Sequence, residues 1–435
     1  MAQPGSALAL GARCRRFKSS HPDFIKLDYF TPTIDFSFQM SQLLTLKPDK
    51  EHLLESRHPW IYSGALAKIP VSINHGSVVK LANSKGQIVA TGTFSNSSNI
   101  AVRVFVFGDA IIDSDWFWQK IESCDKRKAL MGYGPESDTT GYRVVFGEAD
   151  GIPGLVVDRY EDVIVTQMAT AGIDRMRDTI NQCLIDMFDA FAVVDRSDIG
   201  VRKEEKLEKR SGTQHGDFKA AEYVEFLEDG IKLAAHPTAG QKTGFYLDQR
   251  NVRSTINKLA DDKSVLNLFS YTGANSVMAL LGGARNVVNI DSSAWALEQC
   301  QVMAKLNGIG ADKFTVLEAD VFQWLDSHPK EKFDMVIMDP PAIIKSRGDI
   351  EQGRKAYHFI NRAAMRLIRK GGLFVTSSCS QFLSADDFAT TLRRASVQNG
   401  LTLDVLNFIP QASDHPISVY FPESNYLKTF VCQVV

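Results

Sequence analysis

The chain has 435 residues, of which 44% are hydrophobic and 23% are charged, and its formal net charge is −2. This length predicts two or three domains, and the composition is typical of a soluble globular protein. No apolar run approaches the roughly 18 residues that span a bilayer, which argues against an integral membrane protein. The charge balance argues against a uniformly basic nucleic-acid coat and, taken alone, favours a small-molecule enzyme. A local basic face would still be enough to bind phosphates.

Cysteine spacing and the N-terminal composition bear on the compartment. The six cysteines are scattered and form no CxxC pair, which predicts neither a disulfide framework nor a zinc site and fits the reducing cytoplasm. Residues 1–22 contain four Lys or Arg residues and no acid, as transit peptides do, although a long amphipathic pattern is missing. Ordered-looking sequence begins after Met40. We expect residues 1–40 to be a poorly structured extension, and the sequence leaves open whether it is a targeting peptide or follows from an upstream start codon.

Short β-type runs separated by turn signals follow Met40, and their spacing predicts a compact barrel over residues 41–115. A helix is expected near 115–130, then strands within 142–170 and a helix over 173–188, which together suggest a central α+β domain over 116–235. The barrel strands are expected at 43–46, 60–62, 77–81, 88–94 and 100–106.

A strongly charged run occupies residues 202–210, where eight of nine residues are Lys, Arg or Glu. Runs of mixed sign are usually a solvated loop or helix face, and we expect that here.

From Val265 onward, strand and helix patterns alternate, which predicts parallel βαβ units and a doubly wound α/β domain over residues 236–435. Such a sheet binds nucleotide-like ligands at the carboxyl edge of its strands. Strands are expected at 265–269, 286–290, 314–317, 333–338, 373–376, 401–408 and 427–434, and helices at 274–281, 294–306, 321–327, 351–368 and 385–399.

The first candidate site is the turn after the first of these strands, where Gly273 precedes a helix and frees backbone amides for a ligand. Asp291 ends the next strand, eighteen residues after Gly273, a spacing at which a carboxylate accepts hydrogen bonds from ribose hydroxyls. Asp320 follows the third strand, where it can accept from an adenine amino group or cap a helix. Acids at successive strand ends favour a nucleoside ligand.

The second candidate site combines an acid and a thiol at neighbouring strand tips. Asp339 follows a hydrophobic strand, and Pro340 and Pro341 fix the backbone after it. Cys379 lies between serines just past the next strand tip. A lone cysteine is more often a buried filler, but this position favours a reactive thiol, whereas Cys300 and Cys432 are expected in the core.

Several motifs in order along the chain resemble one family, the PUA-domain large-subunit rRNA cytosine-5 methyltransferases of the RlmI type. The resemblance covers nearly the whole chain from about residue 41 and rests on seven segments: HPWIYSGAL, FGEADGIPGLVVDRY, GQKTGFYLDQR, FSYTGANS, MDPPAIIKS, TSSCS and QASDHPISVYFPESNYLK.

The resemblance implies an N-terminal PUA β-barrel, a central α+β domain and a seven-stranded Rossmann-like class I methyltransferase domain, with S-adenosylmethionine (SAM) as methyl donor. It also implies rRNA of the large subunit as the partner, with a homodimer left open. Cys379 matches the family's thiol, and Asp339 matches its base-contacting acid. By position, Asp291 would hold the SAM ribose and Asp320 its adenine. The remaining residues expected at the cofactor pocket are Phe269, Ser270, Tyr271, Gly273, Asp248, Gln249 and Arg250.

These roles predict 5-methylcytosine formation through a covalent cysteine adduct. His415 is one candidate for removing the carbon-5 proton, and a structural histidine is an equal reading. The barrel's Lys47, Lys50, Arg57, Lys68 and Lys80 are candidate RNA contacts.

Two alternatives stay open. One is N-methylation of a purine of rRNA, although such enzymes typically place an aromatic residue where this chain has Ala342. The other is a non-catalytic RNA-binding ribosome-assembly factor, which would need none of the acids or the thiol.

Overall fold

A computed structural model describes residues 42–219, 222–327 and 330–435. The predicted N-terminal extension, with Cys14, lies outside this part. The first module is a five-stranded sheet in the order β1-β3-β4-β5-β2, in which only β1 and β3 pair in parallel. A bridge between Leu46 and Leu66 joins the segments after the two edge strands, so the sheet curls toward closure. Its elements are β1 (Gln42–Thr45), α1 (His52–Glu55), β2 (Trp60–Tyr62), β3 (Val78–Ala82), β4 (Ile88–Phe94) and β5 (Ile100–Val106).

The central module is a second five-stranded sheet, in the order β10-β9-β8-β7-β6. Its helices pack with it around one apolar core, to which Phe117, Ile164 and Leu184 contribute. The hairpin of β11 and β12 follows. The elements are α2 (Ser114–Ala129), β6 (Gly141–Phe146), β7 (Leu155–Tyr160), β8 (Val163–Met168), α3 (Ala171–Arg175), α4 (Arg177–Phe188), β9 (Ala192–Asp195), β10 (Gly212–His215), β11 (Val224–Glu228) and β12 (Ile231–Ala235).

The third module is a seven-stranded sheet in the order β15-β14-β13-β16-β17-β19-β18, in which β19 alone runs in the opposite direction and pairs antiparallel with both β17 and β18. Helix α5, which precedes the first strand of this sheet, was not expected from the sequence. The elements are α5 (Arg250–Leu259), β13 (Ser264–Leu268), α6 (Ala274–Leu281), β14 (Asn286–Asp291), α7 (Ala294–Leu306), β15 (Phe314–Glu318), α8 (Val321–Asp326), β16 (Phe333–Met338), α9 (Ile350–Met365), β17 (Ile368–Ser378), α10 (Ala385–Gln398), β18 (Leu403–Ile409) and β19 (Lys428–Val434).

The predicted fold class is therefore confirmed, including the seven-stranded sheet. The first five strands of that sheet are parallel, so all five carboxyl ends meet at one edge, and apolar cores lie on both faces of the sheet. The boundaries predicted between the three modules stay predictions. Among the described residues, no helix is long and apolar enough to cross a membrane.

The expectation of a solvated face for residues 202–210 is wrong for two of its charges. Arg202 and Glu205 are each 1% exposed. Arg202 donates to the carbonyl of Met168 at 2.6 Å and pairs with Asp174 at 2.9 Å, and Glu205 pairs at 2.6 Å with Arg103 of β5. Local charge density could not reveal this, because the counter-charges that compensate burial come from distant segments.

Candidate active site

The loop after β13 has an unusual backbone. Phe269, Tyr271 and Gly273 all have positive φ, at 58°, 48° and 77°, which is rare for residues that carry a Cβ and is often found at functional sites. A Cβ on Gly273 would lie 2.7 Å from the sulfur of Cys300, so no side chain fits there. Cys300 itself is fully buried, as expected. The loop is thus folded tightly against the middle of α7.

Asp291, at the tip of β14, holds this loop. Its two carboxylate oxygens accept from the amides of Tyr271, at 2.8 Å, and Ser293, at 3.0 Å. Each oxygen keeps a second lone pair for a ligand. The buried hydroxyl of Ser270 has no hydrogen-bond partner in the described part of the chain. An acid and an orphaned hydroxyl beside a strained, amide-rich loop fit the sugar and amino-acid portions of a nucleoside cofactor.

Asp320 is exposed and caps α8, accepting from the amide of Gln323 at 2.9 Å. The cap uses one carboxylate oxygen, so the other oxygen is free to accept a hydrogen bond from an adenine amino group. Since β14 and β15 pair in register from Val287 to Asp291, the two acids follow neighbouring strand ends. The predicted cofactor acids therefore lie along one edge.

Asp339 and Cys379 lie at the tips of the paired strands β16 and β17, where Met338 is opposite Thr376. Burial and the nearby charge of Asp248 raise the pKa of Asp339 to about 7. Burial raises the pKa of the Cys379 thiol to about 11, although the thiol is not wholly enclosed. The acid thus keeps a proton near neutral pH, and the thiol needs help to ionise.

Asp248 lies beside this pair and is 3% exposed. Its Oδ2 accepts from Lys242 at 3.1 Å and from the hydroxyl of Tyr426 at 2.5 Å. Burial alone would raise the pKa of Asp248, but the Lys242 charge and the Tyr426 hydrogen bond outweigh it and hold that pKa well below its usual range. The ammonium of Lys242 also lies 4.3 Å from the centre of the Tyr246 ring. A charged carboxylate–ammonium pair therefore adjoins the thiol and Asp339.

The loops that carry Asp339 and Cys379 share one buried hydrogen-bond network. The hydroxyl of Tyr357 on α9 accepts from Ser378 at 2.9 Å and bonds the Ser380 hydroxyl at 3.0 Å. Ser380 also accepts from the amide of Ile344 at 3.0 Å. Both neighbours of Cys379 are thus fixed by the same phenol.

The side chain of Arg250 points to a different region from the other predicted cofactor residues. Its guanidinium is buried, donates to the carbonyl of Gly141 at 2.6 Å, pairs with Asp414 at 3.2 Å and lies over Tyr133. It also lines a separate cleft of about 620 Å³ between the central module and α5. We assign it to the junction of the two modules, where its positive charge is neutralised.

His415 is also part of this junction. Its Nδ1 bonds Asp414 at 2.9 Å, and its ring lies against Phe146. Burial and the neighbouring Arg143 lower the pKa of His415. These contacts favour a structural role for this histidine.

Lys80, one of the candidate RNA contacts, donates hydrogen bonds to Asp109 and to the carbonyl of Ala110.

The fold and this edge of acids define a class of protein. Residues 171–398 match the family model described as S-adenosylmethionine-dependent methyltransferase, and residues 44–107 match a PUA-like domain. The chain belongs to the SAM-dependent methyltransferase family, and SAM is its cofactor.

Relatives that match nearly the full length of the chain specify the family more closely. The chain is 37% identical to the ribosomal RNA large subunit methyltransferase I of Aliivibrio fischeri (strain MJ11) over 400 residues, covering 91% of this chain and 100% of that protein. Its namesakes from Shewanella amazonensis and Escherichia coli are 37% and 34% identical with the same coverage. A SAM-dependent methyltransferase structure from Streptococcus mutans shares the fold, with a TM-score of 0.75 at 22% identity over 90% of this chain. The resemblance recognised from the motifs is confirmed.

Sequence reasoning missed five groups that lie around the thiol: Lys242, Tyr246, Tyr357, Tyr426 and Lys428. Lys242 and Tyr246 lie inside the GQKTGFYLDQR motif, so the motif was noticed but its charged and aromatic members were not assigned. Lys242 has a φ of 53°, in the left-handed region, and its ammonium lies over the Tyr246 ring. Tyr357 lies in the middle of a helix with no signal that separates it from a core residue.

Proposed function

We propose that this chain forms 5-methylcytosine in large-subunit rRNA, with Cys379 as a covalent nucleophile. Support for the substrate comes from the relatives, whose names state that they methylate large-subunit rRNA. The observation that carries the chemistry is a partly accessible thiol beside an acid whose pKa lies near 7, on adjoining strand tips of a methyltransferase sheet.

SAM would be held along the edge from β13 to β15. Asp291 would bind its ribose hydroxyls and Asp320 its adenine, and Phe269, Ser270, Tyr271 and Gly273 would line the methionine side. The bound cofactor supplies an electrophilic methyl group.

Carbon 5 of cytosine is too weak a nucleophile to accept the methyl group directly. A Cys379 thiolate that adds to carbon 6 makes carbon 5 enamine-like. Asp339, which keeps its proton near neutral pH, would donate to N3 of the base and so stabilise the adduct as the negative charge moves into the ring. After methyl transfer, loss of the carbon-5 proton lets the cysteine leave.

The target base must leave the RNA stack to reach a thiol at the sheet edge. The exposed Arg57 and Lys68 of the first module, together with Lys47 and Lys50, are candidates for phosphate contacts. Asp248 and Lys242 would border the base pocket. Ribosome assembly in the cytoplasm is the setting that this substrate implies.

The test is mass-spectrometric mapping of modified nucleosides in rRNA from cells with and without this protein. We expect one 5-methylcytosine of the large subunit to disappear and to return with the wild-type gene, but not with Cys379→Ser. Calorimetric titration should show that Cys379→Ser still binds SAM. Unchanged rRNA would refute the proposed substrate, and full methylation by Cys379→Ser would refute the covalent mechanism.

A further inference from the structure

Lys428, the first residue of β19, is a lysine buried next to the thiol. It is 5% exposed and pairs in the sheet with Ser378, the residue before Cys379. Its ammonium donates at 2.8 Å to the carbonyl of Ser380, the residue after Cys379, and at 2.8 Å to the carbonyl of Leu383. The side chain therefore spans the loop that carries the thiol.

The charge of Lys428 has no carboxylate partner within ion-pair distance among the described residues. The other lysines and arginines of the described chain that are at most 8% exposed are all paired with a carboxylate, as Arg202 is with Asp174 and Arg253 is with Glu228. An unpaired buried charge is costly. The carbonyl dipoles of Ser380 and Leu383 offset part of the cost of burying this charge. An anion on the loop that carries the thiol would offset more. Cys379 is the group on that loop that can become an anion.

We propose that Lys428 is a positioning residue for Cys379, holding its loop through two carbonyls and supplying the positive charge that stabilises the thiolate. Below about pH 8, where Lys428 is mostly charged, the thiol ionises by releasing its proton to water and Lys428 keeps its own protons. The role of Cys379 rests on the proposed function, but ionisation of the thiol can be measured without RNA or SAM.

Other groups act on the same thiol and set the background. Asp339 and Asp248 oppose its ionisation, and Lys242 favours it. Burial lowers the pKa of Lys428 to about 8, so the lysine is mostly charged below that pH. Three tyrosine hydroxyls also face the thiol. They belong to Tyr246 in the loop before α5, to Tyr357 on α9 and to Tyr426 in the segment before β19.

The experiment measures alkylation of Cys379 by iodoacetamide in the full chain between pH 6 and 10.5, quantified on the peptide that contains Cys379 so that the other cysteines do not interfere. Lys428→Gln keeps donors for the carbonyls but removes the charge. Lys428→Arg keeps both the hydrogen-bond donors and the positive charge. Tyr357→Phe loosens the same loop without changing any charge. Thermal unfolding establishes that each variant is folded.

We expect Lys428→Gln to slow alkylation at pH 7 about tenfold or more, because an opposite charge close to a group shifts its pKa by roughly 1–3. The wild-type and Gln profiles should converge above pH 8, where the wild-type lysine loses its charge. Lys428→Arg should match the wild-type rate at pH 7 and exceed it above pH 8, and Tyr357→Phe should change the rate by the same factor at each pH. A folded Lys428→Gln with the wild-type rate at pH 7 overturns the proposal, and so does a folded Lys428→Arg that is slowed as much as the Gln variant. Either result leaves the rRNA assignment untouched.

Discussion

The amide of Ile344 donates a 3.0 Å hydrogen bond to the hydroxyl of Ser380. Ile344 lies on the loop that follows Asp339, and Ser380 directly follows Cys379. Both residues are buried. One hydrogen bond thus links the loop of the proton-bearing acid to the loop of the thiol, so their spacing is set by the protein before a base arrives.

Removal of this link should impair chemistry more than binding. Ser380→Ala leaves the Ile344 amide without a partner, and misplacement of reacting groups by a fraction of an ångström to 1 Å can cost up to about 100-fold in rate. We expect single-turnover methylation to slow about 10- to 100-fold while SAM affinity is unchanged. Ser346→Ala, an exposed position on the same loop, is the matched control. Equal rates for the two variants would contradict the link.

The pH dependence of single-turnover methylation should report which form of Asp339 is active. The pKa of Asp339 is about 7 and that of Cys379 about 11. If Asp339 acts protonated, the rate rises about tenfold per pH unit up to roughly pH 7, because the thiolate fraction grows. Above that pH, loss of the Asp339 proton offsets the gain in thiolate and the profile becomes flat. A rate that keeps rising steeply to pH 9 would mean that Asp339 acts as the anion.

Asp339→Asn should stabilise the fold while lowering activity. The pKa of Asp339 is raised to about 7 in the folded state, above its ordinary value of about 3.9. The folded chain therefore holds this proton more tightly, and the wild type loses stability as pH rises from about 4 through 7. The amide cannot ionise and avoids that loss. We expect the free energy of unfolding in urea to exceed that of the wild type by on the order of 1–3 kcal/mol at pH 8 and by little at pH 4. A gain that is independent of pH would contradict this cause.

Asp291→Asn should weaken SAM binding strongly, because the amide cannot accept from both backbone N–H groups and two ribose hydroxyls. A loss on the order of tenfold or more is expected from calorimetry. Asp320→Ala removes a helix cap, which costs about 1 kcal/mol of stability, together with the proposed adenine contact. Of the two, Asp291→Asn should have the larger effect on affinity. The reverse order would point to Asp320 as the main anchor.

The sequence predicted the methyltransferase sheet well because its strands are short segments rich in apolar residues that alternate with amphipathic helices, a pattern that local periodicity contains. It also placed Asp291, Asp339 and Cys379 at strand tips, since a carboxyl-terminal strand end is a local feature. It could not predict that Arg250 faces the central module or that Lys428 lies under the thiol loop. Those positions depend on contacts between segments far apart in the chain, and no local pattern records them.

The charged run at residues 202–210 offers a test within a single segment. Arg202 is buried, with bonds to Met168 and Asp174, whereas the adjacent Lys203 is exposed. Arg202→Ala leaves polar groups of the core without a partner and should lower the free energy of unfolding by about 3 kcal/mol. Lys203→Ala should change it by less than about 0.5 kcal/mol. Urea unfolding followed by tryptophan fluorescence measures both. A similarly small loss of stability for the two variants would mean that Arg202 is solvated, as the charge pattern suggests. A large loss for Arg202→Ala alone would show that this one residue of the run stabilises the central module.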